Sequence, residues 1–120
     1  MSALGYKDIV DLLRKEIPEF ALTIEDHISF YGEVLAHPLF GDLTRFIEQA
    51  LSEGNIELVS RCLSLLEQVL IVGDDQSKNL VAVSFVENVG PWDPPKTEFI
   101  KRWPPALREE AKRQKDWGPQ

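Results

Sequence analysis

Apolar residues recur at helical spacing through most of this chain. "YKDIVDLLRKEI" at 6–17 places Ile9, Leu12, Leu13 and Ile17 on one stripe, and Pro18 follows to stop the helix. "TIED" at 23–26 has the form of a capping box, with Thr23 able to accept from the backbone N–H near Asp26, and predicts a helix through Ile28, Tyr31 and Leu35. "HPLFGD" at 37–42 predicts a break and a new helix through Leu43, Phe46, Ile47 and Ala50. Gly54-Asn55 and Gly73-Asp74-Asp75 each offer a glycine for a left-handed helix stop, then a capping side chain for the next helix. No stretch alternates convincingly, and no Asn-Gly or Asp-Gly turn joins two β-branched runs. The pattern predicts one all-α domain over residues 1–120, a bundle of roughly six or seven helices with solenoid-like antiparallel packing.

The phrase "LLEQVL" at 65–70 sets a Glu-Gln pair inside an apolar run. It recurs as "FIEQAL" at 46–51 and loosely as "FVENVG" at 85–90. On the helix from Asp42, Glu48 points away from the apolar arc and reads as solvent-exposed; on the helix from Ile56, Glu67 sits at the border of the arc. On the helix from Gln76, apolar residues cover almost every direction. That helix is expected at the centre of the fold, with Glu87, Asn79 and Ser84 buried. A buried carboxylate must be paired, hydrogen-bonded or protonated. Glu87 therefore reads as a structural acceptor first, and as the lining of a small-ligand pocket second.

After Gly90 the character changes. "PWDPPK" and "WPP" hold five prolines and two tryptophans, so 1–90 reads as the core helices and 91–120 as a Pro/Trp-rich segment with a charged last helix at 105–116. Pro94-Pro95 and Pro104-Pro105 suit the first turns of short helices. Leu107 and Ala111 are expected to pack only weakly.

Charge is uneven along the chain. Residues 1–95 carry 6 Lys+Arg against 16 Asp+Glu, a net of −10, whereas 96–120 carry 7 against 4, a net of +3. The acidic body would repel a phosphate backbone, which argues against nucleic acid as a partner and suits either a basic protein or no partner, since acidity also serves solubility. The single cysteine, Cys62, permits no intrachain disulfide and lies on an apolar arc. Apolar runs are too short to cross a bilayer and "MSALGYKD" lacks signal-peptide regions, so the expectation is a cytoplasmic protein with no membrane partner. His27 and His37 are ten apart with no flanking ligand pattern, and no phosphate loop or nucleophile elbow is present. The chain is accordingly expected to have no catalytic residues, no metal and no cofactor.

Residues 37–89 carry a further signal in Pro38, Phe40-Gly41-Asp42, Gly54-Asn55, Gly73-Asp74 and the close "VSFVEN" at 83–88. In this order they resemble a family of small bacterial helical proteins similar to immunity proteins of polymorphic or contact-dependent toxins. The resemblance implies neutralisation of a cognate toxin domain by tight, non-catalytic binding of a monomer. A basic toxin, a nuclease being the fitting class, would meet exposed carboxylates. The candidate partner-binding residues are Asp42, Asp74 and Asp75 at one end, which read equally as helix caps, with Glu25, Asp26 and Glu33 beside them, and Trp92 and Trp103, which read first as pins of the proline-rich segment to the core and second as aromatic anchors. A regulatory or scaffold module is the alternative.

Overall fold

The structure is a computed structural model and describes residues 4–117. Seven α-helices follow one another: α1 (Tyr6–Glu16), α2 (Ala21–Tyr31), α3 (Ala36–Ser52), α4 (Ile56–Val72), α5 (Asp75–Val81), α6 (Thr97–Lys101) and α7 (Pro105–Trp117). Single 3-10 turns at Pro18–Phe20 and Pro94–Lys96 lead into α2 and α6, and α5 runs on as a π-helical stretch, Ala82–Glu87. The fold is all-α, as the periodicity predicts. Extended pairing among the described residues is confined to one bridge between Leu4 and Gly73. No described helix is long and apolar enough to cross a membrane.

Local chemistry explains most of the boundaries. Asn55 Oδ1 accepts from the Leu58 N–H at 3.3 Å and Asp74 Oδ1 from the Ser77 N–H at 2.8 Å, so both predicted caps form. Gly54 is left-handed at φ 77°, a value that favours glycine. Gly73 differs from expectation, with φ −73° and ψ 161°. It is needed for closeness instead, because a Cβ there would stand 2.4 Å from the Val69 carbonyl oxygen.

Two predicted starts move. The 3-10 turn after Pro18 carries directly into α2, which puts Thr23 inside the first turn, where it caps nothing. α3 begins at Ala36: Pro38 is accepted in the first turn, where its missing N–H costs nothing, and Gly41-Asp42 lie within the helix.

The core joins every α-helix from α1 to α7, from Ile9 and Leu13 through Ile24, Leu43, Leu66, Val81 and Phe99 to Leu107. The central position predicted for the helix after Gln76 holds: α5 and its π extension pack on α3, α4 and α7. The burial of Glu87 and Asn79 does not. Both are exposed, while Ser84 is buried. For Glu87 the cause is the π stretch, whose wider turn rotates the residues after Ala82 off the 100° wheel; Asn79 precedes it and lies on the solvent side of α5. Side chains also bond carbonyls of this stretch. Thr44 Oγ1 donates to Ser84 O at 2.8 Å, and Gln114 Nε2 donates to Ala82 O at 2.9 Å.

The other two glutamates are both engaged. Glu48 is half-buried and pairs with Lys96 at 2.7 Å, tying α3 to the proline-rich segment, so the solvent reading of Glu48 was incomplete. Glu67 answers the question that "LLEQVL" raises: its two oxygens accept from the backbone N–H groups of Ala106 and Leu107 at 2.8 and 2.9 Å. A carboxylate on α4 thus caps the positive end of α7. Leu107 and Ala111 are fully buried, and α7 is an integral part of the core.

Candidate functional site

The carboxylates proposed for partner contact fall into two groups, those already engaged and those left facing solvent. Asp42 pairs with Arg45 and lies 3.9 Å from Nδ1 of the buried His27, which places it beside α2. Asp74 is spent as the cap of α5, and its backbone N–H donates to Leu4 O at 2.9 Å. The Ser77 backbone N–H holds the Asp74 carboxyl below its ordinary range. Glu25 pairs with Arg14 of α1 at 3.2 Å. Asp26, Glu33 and Asp75 are exposed and form no salt bridge within 4.0 Å among the described residues.

The tryptophans also separate. Trp103 is buried, stacking at 5.1 Å on Phe85 and edge-on at 5.4 Å to Phe99, so it is a core residue and presents no contact surface. Its indole N–H finds no acceptor among the described residues. Trp92 is half-buried in the turn after Gly90.

What sequence reasoning missed is the apolar part of the α2 surface. Leu22 is 72% exposed and Phe30 81%. With Asp26 they stand four apart and form one row along the helix, next to the row of Glu25 and Ser29, opposite the buried Ile24 and His27. The signal was available: Leu22 and Phe30 lie off the arc that runs through Ile24, Ile28 and Tyr31.

This face is held from behind. The Leu35 N–H donates to His27 Nε2 at 2.9 Å, which pins the turn after Gly32 and leaves the ring proton on Nδ1, an atom 3.9 Å from Asp42 with no hydrogen-bond partner among the described residues. Tyr31 packs on the His27 ring with centroids 4.7 Å apart, and Phe30 sits edge-on to Tyr31 at 4.8 Å. Tyr31 thus stands on a buried imidazole and Phe30 on Tyr31, with Glu25, Asp26 and Glu33 near them in the chain.

Groups with nucleophilic or ligating chemistry are used structurally. Burial pushes the Cys62 thiol up to about 12. His37 Nδ1 lies 2.6 Å from Ser84 Oγ, joining the first turn of α3 to the π stretch. No cluster of three or more His, Cys, Asp or Glu that could hold a metal occurs among the described residues.

Over residues 10–118 the sequence matches the family described as a domain of unknown function, DUF7674. The chain belongs to that family. The match runs from α1 to the end of α7, so both the α2 face and the Glu67 cap lie within the family domain. No curated protein and no solved structure matches the chain.

Proposed function

We propose that this DUF7674 protein acts by non-catalytic protein binding and neutralises a basic toxin domain, as an immunity protein does. The observation that carries the reading is the α2 surface, where Leu22 and Phe30 are exposed on either side of Asp26, and Tyr31, beside Phe30, is exposed near the helix end that leads to Glu33. Aromatic side chains dominate binding energy at interfaces, and flanking carboxylates give attraction and register toward Lys and Arg. The net charge of −7 acts in the same direction, drawing a cationic partner toward the molecule.

The face replaces the acidic end as the preferred contact. Asp42 and Asp74 are neutralised or held by their own neighbours, whereas Asp26 and Glu33 make no salt bridge among the described residues. Co-expression in bacteria with a toxin domain encoded beside the gene tests the reading. Wild type rescues growth and co-purifies with the toxin, Phe30→Ala loses both, and Asp75→Ala loses neither. Equal rescue by wild type and Phe30→Ala would place the contact elsewhere.

A further inference from the structure

The basic end of the chain, which the α2 contact does not use, gathers its cations around one groove. Between α6 and α7 lies a cavity of about 220 Å³, with Lys101 of α6 and Arg108, Lys112 and Lys115 of α7 in its lining. The rest of the lining is uncharged, so it contains no carboxylate. Arg108, Lys112 and Lys115 follow at helical spacings of four and three and share one face of α7. All three are exposed, and none makes a salt bridge among the described residues. Lys101 is paired, with Glu98 at 3.3 Å. The acidic residues of α7 lie elsewhere: Glu109 and Glu110 line a cavity on the α5 side, where Glu110 binds Arg113, and Asp116 is outside the groove lining. The groove therefore keeps three uncompensated positive charges on a molecule whose net charge is −7.

Helix stability does not account for this arrangement. Like charges on neighbouring turns repel, and Arg108 stands in the first turn, at the positive end that Glu67 caps. The helix dipole favours a cation at the opposite end, where Lys115 lies.

We propose that the α6–α7 groove binds a compact multivalent phosphate anion, a short oligophosphate. A phosphate group offers its oxygens to a guanidinium fork and to ammonium groups from several directions, whereas a carboxylate presents two oxygens in one plane. The cavity of about 220 Å³ is smaller than the roughly 300–1,000 Å³ of drug-sized ligand sites, which suits a small ion. A long polyanion is disfavoured by the rest of the surface, because residues 1–95 carry a net of −10 and repel phosphates that run past the groove. No residue of α2 lines the groove, so the site is independent of the α2 reading.

Isothermal titration of the full chain with inorganic tripolyphosphate at low salt tests the proposal. Tripolyphosphate binds saturably at one site, and its affinity falls as salt is raised. Lys112→Glu and Arg108→Gln each weaken binding about tenfold through loss of one charge-assisted contact, with circular dichroism unchanged. Lys7→Glu, which alters the net charge as much as Lys112→Glu but lies on α1 outside the groove, leaves the affinity within about twofold. Should Lys112→Glu fail to fold, Arg108→Gln carries the same comparison. Absence of saturable tripolyphosphate binding, or equal weakening by Lys7→Glu and Lys112→Glu, overturns the site. Citrate binding as tightly as tripolyphosphate overturns the phosphate class, and tighter binding of a single-stranded oligonucleotide overturns the compact ligand.

Discussion

Three glutamates in near-identical phrases have three different jobs, and burial by neighbouring elements decides which. Glu67 supplies both oxygens to the start of α7, so Glu67→Ala leaves two N–H groups without their acceptor and is expected to cost about 1–3 kcal/mol in urea unfolding. Glu67→Gln, which keeps one oxygen, is expected to lose less. Glu87 faces solvent, and Glu87→Ala should stay within about 0.5 kcal/mol of wild type. The half-buried border position of Glu67 was legible from the helical wheel. Its partners were not, because they come from 39 and 40 residues further along. Cys62 provides a second check at this scale. With its thiol raised to about 12 by burial, it should resist alkylation at neutral pH in native protein and react fully once urea unfolds the chain.

At the scale of elements, strong punctuation was readable and helix winding was not. Asn55 and Asp74 cap as their sequence context implies, since a capping side chain needs only the N–H three residues on. The π stretch at Ala82–Glu87 carries no comparable sequence mark, yet it turns Glu87 outward and engages Thr44 and Gln114. The cap on α5 predicts a pH dependence. Because the Asp74 carboxyl is lowered in the fold, its contribution is present above the unfolded value of about 3.9 and is lost as pH falls through the folded value. The gap in melting temperature between wild type and Asp74→Ala should therefore be constant near neutrality and close as the medium is acidified from about pH 5 toward pH 2. A gap that persists at the acid end would assign the cap's effect to something other than the carboxylate.

For the whole molecule, periodicity gave the helical class and composition the sign of the field, while the exposed α2 surface proposed for contact became visible only after folding. The sequence placed Asp42, Asp74 and Asp75 among exposed carboxylates, but Arg45 and the Ser77 N–H engage the first two. Of the two roles open to Trp103, core pin and surface anchor, Phe85 and Phe99 leave the first, enclosing that ring in the core. The aromatic anchors left facing solvent are Phe30 and Tyr31, held on the buried His27. The most direct test of toxin binding through this face is the association rate with the purified toxin domain, measured by stopped flow at several salt concentrations. Reversing Asp26 and Glu33 to lysine is expected to slow association on the order of tenfold at low salt and to flatten its salt dependence, with the melting temperature unchanged. An association rate and salt dependence equal to wild type in that folded double variant would contradict the account.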